Sequence, residues 1–422
     1  MTADPLPHRA STDPIALERR YGARNYDPLP VVLTRGEGVW LWDTAGRRYL
    51  DMMSAYSAVS FGHSPPELVA VLAAQAARLA VTSRAFYTDR LGPFLERLCT
   101  LVAMDRALPM NSGAEAVETA LKAARKWGYR VKGIADGRAQ IVVAEHNFAG
   151  RTTTIVGFSS EEPYRAGFGP FAPGFVQVPF GDASALEAAI TRETCAFLVE
   201  PIQGEAGVVV PPAGYLRAVR EICTRHGVLL IADEIQTGLG RTGARLACDH
   251  EGVRPDALTL GKALGGGLLP VSAFVARADV MAQFGPGEHG STFGGNPLAA
   301  AVGLAALELL ERERLAERAA VQGERLLAGL RALAHPALRA VRGRGLLVGI
   351  EIDPQFASAR RVCEALADEG VLTKDTHGTV VRFAPPLVIE PAEIDFALDA
   401  LARSLARIAA GERPATAAGR RS

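Results

Sequence analysis

Cysteine is scarce in this sequence of 422 residues, which contains five such residues. They are odd in number and widely spaced, and no two of them form a CxxC pair. We therefore expect neither a disulfide framework nor a zinc site, and we predict a reducing, cytoplasmic location. The five are Cys99, Cys195, Cys223, Cys248 and Cys363.

Net charge and long apolar runs are missing as well. The 46 basic residues are balanced by 46 acidic ones, and neither sign occurs in blocks, which argues against a general nucleic-acid or membrane-surface binder. No segment approaches the roughly 20 apolar residues that a membrane-spanning helix needs. The first residues, MTADPLPHRASTDP, contain no apolar run typical of a signal peptide. We predict no nucleic-acid partner and no membrane partner.

The sequence does contain enough apolar residues, 48%, for a large core and more than one domain. We predict disordered tails over residues 1–12 and 411–422. Between them we expect an N-terminal segment with a β-hairpin over 13–58, a large ligand-binding domain over 59–298 and a small C-terminal domain over 299–410. The hairpin would turn at Asp43-Thr44-Ala45-Gly46.

Short apolar runs alternate with helical patterns in the large domain. The runs are AQIVVAE, GFVQVPF, CAFLVEP, GVLLIADE and VSAFVA, and the helical stretches between them include EAVETALKAARKWGYRV and GYLRAVREICTRHG. This alternation predicts an α/β fold with a mostly parallel sheet flanked by helices. Residues 297–334 are strongly helical, and GLLVGIEI, a helix near 360–369, VVRFAPPLVI and a last helix from Pro391 predict a smaller α+β domain.

Lys262 is the only charged residue between Asp256 and Arg277, and it is surrounded by leucine, alanine and glycine. Burying an unpaired ammonium is costly, and the usual relief is loss of its proton. Gly261 and the glycines at 265–267 leave room for a bulky ligand. A desolvated lysine is the kind of amine that forms a Schiff base with a carbonyl, although a lone lysine can also extend its ammonium to water.

Ligands of an open α/β sheet gather at the carboxyl ends of its strands. Three apolar runs end in residues that could contact a ligand. One run ends in Asp233, the second is followed by Glu200 and Glu205, and the third is followed by Phe148 and Arg151. A buried aspartate can hold a pyridinium nitrogen protonated, or it can simply pair locally.

The stretch PMNSGAEAVETALKAARKW places Ser112, Gly113 and Ala114 at a helix N-terminus, where an anion is attracted. Ser112 can equally be a plain helix cap. A reactive lysine, an acidic partner and a phosphate cradle together predict a pyridoxal phosphate site.

With these residues identified, the sequence resembles the class III aminotransferases of fold type I, and most closely the members that act on ornithine. The resemblance extends from about residue 30 to residue 405. Its specific motifs are SAYSAV, TSRAFY, ARKWGY, VEPIQGEAGVVVP, RHGVLLIADEIQTGL, GEHGSTFGGNPL and THGTVVRFAPPLVI.

The resemblance implies a role for each matching residue around the cofactor. Lys262 would be the Schiff-base lysine and proton carrier, Asp233 the partner of the ring nitrogen, and Gln236 a hydrogen-bond donor near the phenolic oxygen. Phe148 would stack on the ring, although core packing is its ordinary alternative. Ser112, Gly113 and Ala114 would hold the phosphate. Thr292 would join them from a second subunit, which implies a homodimer with a shared site.

The resemblance also implies how substrates bind. Arg151 would bind a substrate carboxylate, Tyr56 would hydrogen-bond the same end, and Tyr87 would line the pocket. Relatives that act on acetylornithine or 4-aminobutyrate generally lack the tyrosine at position 56. Glu205 would pair with Arg382 while ornithine is bound and release it for 2-oxoglutarate, whereas an isolated pair of this kind would more often be a surface salt bridge.

One position departs from the resemblance. Ala149 stands where animal members have a tryptophan, which predicts a wider pocket wall. We expect a δ-aminotransferase that uses L-ornithine and 2-oxoglutarate. The alternatives are another ω-aminotransferase of this class, acting on acetylornithine, 4-aminobutyrate or lysine, and a non-catalytic scaffold that binds the cofactor.

Overall fold

The structure, a computed structural model, describes residues 13–412. The tail predicted over 1–12 lies outside the described residues, as does the part of the second tail from 413 onward. Glu412, which was assigned to that tail, accepts a hydrogen bond from Arg407 at 2.8 Å. Among the described residues, no helix has the length and apolar character that crossing a membrane requires.

Helices and strands alternate along the chain. The helices are α1 (Pro14–Tyr21), α2 (Ser54–Ser57, a single left-handed turn), α3 (Pro66–Arg78), α4 (Leu91–Val102), α5 (Gly113–Arg130), α6 (Thr153–Gly157), α7 (Glu162–Arg165), α8 (Ala183–Ala189), α9 (Tyr215–Arg225), α10 (Ala278–Met281), α11 (Pro297–Arg312), α12 (Leu315–Ala332), α13 (Ala359–Asp368) and α14 (Pro391–Ala409). The strands are β1 (Leu33–Glu37), β2 (Trp40–Asp43), β3 (Arg48–Asp51), β4 (Arg106–Met110), β5 (Gln140–Ala144), β6 (Phe175–Val178), β7 (Thr194–Val199), β8 (Leu229–Asp233), β9 (Ala257–Leu260), β10 (Ser272–Ala276), β11 (Leu338–Arg344), β12 (Leu347–Ile352), β13 (Val371–Leu372), β14 (Lys374–Thr376) and β15 (Val380–Phe383).

A seven-stranded sheet in the order β4-β10-β9-β8-β7-β5-β6 holds the strands that were predicted from apolar runs. Strands β9, β8, β7, β5 and β6 run parallel to one another. Strand β10 runs antiparallel to both of its neighbours. The predicted mostly parallel sheet is confirmed, and the reversal at β10 was not predictable because an apolar run does not encode a strand direction.

Both faces of this sheet are covered. Neighbouring residues of β8 point into two separate hydrophobic clusters, with Leu230 in one and Ile231 in the other. Helix α9 contributes Val219 to the first cluster, and α5 contributes Val117 to the second. Each such side chain contributes about 1.5–3 kcal/mol when fully buried. Burial on both faces explains why the strands appear in the sequence as continuous apolar runs.

Two four-stranded sheets complete the structure. One is antiparallel, in the order β11-β12-β15-β14. The other has the order β1-β2-β3-β13 and contains the predicted hairpin as β2 and β3. Strand β3 also pairs in parallel with β13, so the N-terminal strands share a sheet with a strand of the C-terminal region.

The proposed domain boundaries remain predictions. The boundary at 298/299 falls inside α11, which packs against α3 and α4. The helical stretch predicted over 297–334 consists of α11 and α12, which are separated near Arg314, where φ is +50°.

Candidate active site

A cavity of about 200 Å³ lies at the carboxyl ends of β5, β7 and β8. Its lining includes seven residues predicted from the sequence, which are Gly113, Ala114, Phe148, Glu205, Asp233, Gln236 and Lys262. A larger cavity, of about 480 Å³, lies at the amino ends of β8 and β9 and contains none of them. We place the candidate site in the smaller cavity, because the reactive side chains converge there.

Asp233 is the last residue of β8 and is buried. The amide of Ile235 donates a hydrogen bond to Oδ1 at 3.1 Å. Burial raises the pKa of Asp233 to about 6, although this amide and the charge of Lys262 oppose the rise. No ion pair of Asp233 is found between residues 13 and 412, so its charge is available to a cationic group of a ligand.

Lys262 follows β9 and begins a short 3-10 turn over Lys262–Gly265. Its φ is +47°, a left-handed value that is costly for a residue with a side chain and is often found at functional sites. Burial lowers the pKa of Lys262, and the carboxylates of Glu205 and Asp233 oppose this change. No ion pair of Lys262 is found in the described part of the chain, and a lowered pKa favours the neutral, nucleophilic amine.

The N-terminus of α5 borders the cavity. Ser112 caps the helix, because its Oγ accepts the amide of Glu115 at 3.2 Å and its own amide donates to the Glu115 carboxylate at 2.9 Å. The structure thus has Ser112 in the capping role that was its alternative, and Ser112 does not line the cavity. Gly113 and Ala114 do line it. Amides in the first turn of a helix have no partner within the helix and can bind an anion.

Gln236 contacts Tyr56 and the cavity residue Glu205. Its Nε2 donates to the carbonyl of Tyr56 at 3.4 Å and to Glu205 Oε1 at 3.5 Å. Gly204 makes this position possible, because a Cβ there would lie 1.6 Å from Gln236 Oε1. No sequence pattern had identified Gly204.

Glu205 and Arg382 form a partly buried ion pair. Arg382 Nη1 donates to Glu205 Oε1 at 2.5 Å, and Arg382 is only 3% exposed. Burial alone would raise the pKa of Glu205, but the charges of Arg382 and Lys262 outweigh it, and the pKa is lowered. This geometry differs from that of a surface salt bridge, which contributes little.

Tyr56 lies in the left-handed turn α2, in which all four residues have φ between +44° and +73°. Each non-glycine residue in this conformation costs roughly 1–2 kcal/mol. The buried Arg241 supports the turn through a 3.4 Å hydrogen bond from Nη2 to Ser54 Oγ. The Tyr56 ring centroid consequently lies 5.3 Å from Cζ of Arg382.

Phe148 enters the cavity from the loop after β5, and its amide donates to Glu200 Oε1 at 2.9 Å. Glu200 is buried, and burial together with the charge of Asp233 raises the pKa of Glu200 well above its ordinary value. The sequence pattern predicts that Glu200 lies at a strand end, but it does not indicate a role for this residue. In the structure it lines the cavity and holds the backbone of the aromatic residue.

Arg151 contacts aromatic rings. Its Cζ lies 3.7 Å from the ring centroid of Tyr164 and 5.5 Å from that of Phe148. No hydrogen bond or ion pair of Arg151 is found among residues 13–412. A guanidinium without a carboxylate partner is suited to bind a ligand carboxylate in a bidentate manner. No motif had pointed to Tyr164.

Besides Ser112, the predicted residues Tyr56, Arg151 and Arg382 lie outside the cavity lining, although each contacts a residue that lines it. Two further predicted residues lie on the surface. Tyr87 was expected to line the pocket, but its side chain is fully exposed because its segment runs over the surface. Thr292 is exposed in the loop before α11. Its predicted role concerned the cavity of a second subunit, and that role remains a prediction.

Comparisons with known proteins agree with the site. The sequence matches the family described as aminotransferase class-III over residues 21–405. An ornithine aminotransferase from Bordetella pertussis is 55% identical over 406 residues, which cover 96% of this chain and 98% of the relative. The crystal structure of the ornithine aminotransferase from Toxoplasma gondii has a TM-score of 0.92 at 44% identity and covers 94% of this chain and 95% of that one. The acetylornithine aminotransferase from Elizabethkingia anophelis has a TM-score of 0.85 at 47% identity, with coverage of 93% and 98%.

The donor groups of the cavity fit pyridoxal phosphate. Asp233 suits its ring nitrogen, Lys262 its aldehyde, Phe148 its ring face, and the amides of Gly113 and Ala114 its phosphate. The predicted fold, cofactor and class are confirmed by the architecture and by the match over residues 21–405. The chain belongs to the class-III aminotransferases, which depend on pyridoxal phosphate.

Proposed function

We propose that the chain is an ornithine δ-aminotransferase. It would transfer the δ-amino group of L-ornithine to 2-oxoglutarate and give glutamate 5-semialdehyde and glutamate. Identity of 55% to the Bordetella enzyme over nearly the whole chain supports this proposal. The semialdehyde cyclises spontaneously, which would connect arginine metabolism with proline biosynthesis.

The observation that carries the proposal is the difference between two arginines. Arg382 is neutralised by Glu205 at 2.5 Å, whereas Arg151 contacts only aromatic rings within residues 13–412. A substrate carboxylate is therefore drawn to Arg151, with Tyr56 as a further hydrogen-bond donor. An amino acid bound in this way presents the amine at the far end of its side chain to Lys262.

Bound pyridoxal phosphate supplies an aldehyde that bonds to amines and a ring that accepts electrons when a neighbouring C–H bond breaks. Gly113 and Ala114 would bind the phosphate through their amides, and Asp233 would keep the ring nitrogen protonated. Phe148 would pack on the ring and exclude water. Lys262 Nζ would take the proton from the δ-carbon of the substrate and deliver it to the cofactor.

The second half-reaction uses the same cavity for a dicarboxylate. Glu205 would leave Arg382, which would then bind the α-carboxylate of 2-oxoglutarate while Arg151 binds the other end. While ornithine is bound, the Glu205 pair keeps Arg382 from attracting the ornithine carboxylate. This protection matters because an unpaired Arg382 would bind the ornithine carboxylate, and the α-amine instead of the δ-amine would then face Lys262.

An acetylornithine aminotransferase is the second candidate, because the Elizabethkingia enzyme of that name is 47% identical to this chain. 4-Aminobutyrate and lysine are further alternatives as amine donors. Tyr56 favours ornithine, since relatives that act on acetylornithine or 4-aminobutyrate generally lack this residue.

Single-turnover reactions without a keto acid separate these candidates. The holoenzyme is mixed with ornithine, N-acetylornithine, 4-aminobutyrate or lysine, and the visible absorbance of the bound cofactor is followed. We expect the fastest change with ornithine, no turnover in Lys262→Ala, and a loss in Tyr56→Phe that is greatest for ornithine. A preference for N-acetylornithine would reject the proposal, and no reaction with any donor would support a non-catalytic scaffold.

The proposal includes a homodimer in which Thr292 of one subunit completes the phosphate site of the other. Exposed apolar side chains support it, with Phe86 and Tyr87 in one segment and Phe293 next to Thr292. Near these segments, the amide of Leu298 in α11 donates to the carbonyl of Ala80 at 3.2 Å. We also propose a cytoplasmic location, with which five free cysteines agree.

A further inference from the structure

We propose that Tyr164 is a positioning residue for Arg151, whose guanidinium its ring holds in the orientation that binds the α-carboxylate of the amine donor. The inference rests on the proposed function, in which Arg151 is the carboxylate-binding group. It adds a residue from the stretch SSEEPYRAG, which lies outside the motifs that carry the family resemblance.

The contact between the two side chains is close. Arg151 Cζ lies 3.7 Å from the Tyr164 ring centroid, well inside the range of about 6 Å over which a cation is attracted to an aromatic ring. The Phe148 centroid is farther from Cζ, at 5.5 Å. Since no hydrogen bond or ion pair fixes Arg151 among the described residues, the Tyr164 ring is its nearest oriented partner.

Hydrogen bonds join the segment that contains Tyr164 to the loop that contains Arg151. Tyr164 lies in α7, directly after Glu161, whose carboxylate is 3.1 Å from Nδ1 of His146. The amide of His146 donates to Ser160 Oγ at 2.6 Å. These contacts fix the position of the ring relative to residues 146–151.

Tyr164 also contacts Phe148, the residue that would pack on the cofactor ring. Its ring meets that of Phe148 edge to face, with centroids 6.2 Å apart and an interplanar angle of 83°. Burial raises the pKa of Tyr164, and the charge of Arg151 opposes the rise. The half-buried, uncharged ring covers one face of the guanidinium of the exposed Arg151, which leaves the edge of the guanidinium free to bind a carboxylate.

The test compares Tyr164→Leu, which removes the aromatic face, with Tyr164→Phe, which keeps it. We expect Tyr164→Leu to raise the KM for ornithine about 2- to 5-fold, the range of a cation–π contact at an exposed arginine, with little change in kcat. Tyr164→Phe should restore values near those of the wild type. The donor 1,4-diaminobutane has no carboxylate, and its KM should not change. Tyr21→Leu is the matched control, because Tyr21 is exposed and its ring contacts Arg20, not Arg151.

Several outcomes would overturn the inference. These are an unchanged ornithine KM in Tyr164→Leu, an equal loss with 1,4-diaminobutane, and no rescue by Tyr164→Phe. In an Arg151→Gln background, Tyr164→Leu should cause no further rise in KM, because the guanidinium that the ring orients is already absent. A rise as large as that in the wild-type background would also contradict the inference. Failure of the wild type to use ornithine would instead reject the proposed function, and if the wild type prefers N-acetylornithine the same comparison is made with that donor, which carries the same carboxylate.

Discussion

The carboxylate of Glu205 accepts a hydrogen bond from Arg382 Nη1 at 2.5 Å, within the cavity wall that also contains Lys262. Arg382 is buried, Glu205 is partly exposed, and the charges of the pair are balanced. The second arginine of the site, Arg151, lies on the aromatic ring of Tyr164 instead. One arginine is therefore occupied and the other is available, which provides a physical basis for choosing between the two ends of a diamine acid.

Replacing Glu205 with glutamine should weaken this choice. The buried Arg382 would lose its balancing charge, and a buried charge without a partner is costly. We expect Glu205→Gln to lower kcat/KM for ornithine by at least about tenfold and to leave the half-reaction with glutamate less affected. Single-turnover absorbance changes measure both. Glu369→Gln removes a carboxylate that pairs with Arg403 and serves as the control, and an equal loss with both donors would contradict the expectation.

Gly204 should matter for cofactor affinity although it has no side chain. A Cβ at this position would displace the amide of Gln236, which we expect to bind near the phenolic oxygen of the cofactor. Loss of one such hydrogen bond weakens binding about 3- to 10-fold. Titration of Gly204→Ala with pyridoxal phosphate measures the change in Kd. Gly92→Ala is the matched control, because no atom lies within 4 Å of its added Cβ. The same Kd in both variants would argue against this role of Gln236.

The raised pKa of Glu200 predicts that the stability of the cofactor-free protein depends on pH. Because its folded pKa is raised, the folded state binds more protons than the unfolded state between the ordinary value of 4.5 and the raised value. The stabilisation from this carboxyl is present below pH 4.5 and is lost as the pH rises through the folded pKa.

Glu200→Gln cannot ionise, so its unfolding temperature should exceed that of the wild type by an amount that grows as the pH rises. A difference of a few degrees is expected. Differential scanning calorimetry between about pH 5 and pH 9 measures it, a range in which a carboxyl with an ordinary pKa is already mostly ionised. A constant difference across this range would show that Glu200 does not titrate as the burial argument requires.

The shared active site can be tested by mixing two defective subunits. Lys262→Ala lacks the reactive amine, and Thr292→Ala should bind the cofactor phosphate weakly. If Thr292 acts across the interface, a hybrid dimer of the two contains one intact site, and activity should return to up to half that of the wild type per hybrid dimer. If Thr292 acts within its own subunit, neither site is intact and activity does not return. Each variant alone is the control, assayed at limiting cofactor.

The central sheet, and several of the side chains that meet in the candidate cavity, were predictable from the sequence. Asp233 and Glu200 follow apolar runs, and a run of that kind ends at a sheet edge where ligands bind. Lys262 was identifiable because one charge in an apolar, glycine-rich stretch requires an explanation. In each case the reason is local in sequence.

Contacts between distant segments were not predictable from local patterns. The pairing of β3 with β13 joins segments more than 300 residues apart, and no periodicity encodes it. The same holds for Tyr164, which reaches Arg151 because the turn at Ser160–Glu161 binds His146. Gly204 became visible only when the space around Gln236 was known.

Nitrogen tracing decides which amine of ornithine is transferred. The holoenzyme is incubated with 2-oxoglutarate and ornithine labelled with ¹⁵N at the δ position, and the products are separated and analysed by mass spectrometry. The arrangement of Arg151, Glu205 and Arg382 predicts that the label appears in glutamate, with the five-membered ring formed from glutamate 5-semialdehyde free of it. Label retained in the product derived from ornithine, with unlabelled glutamate, would contradict the account.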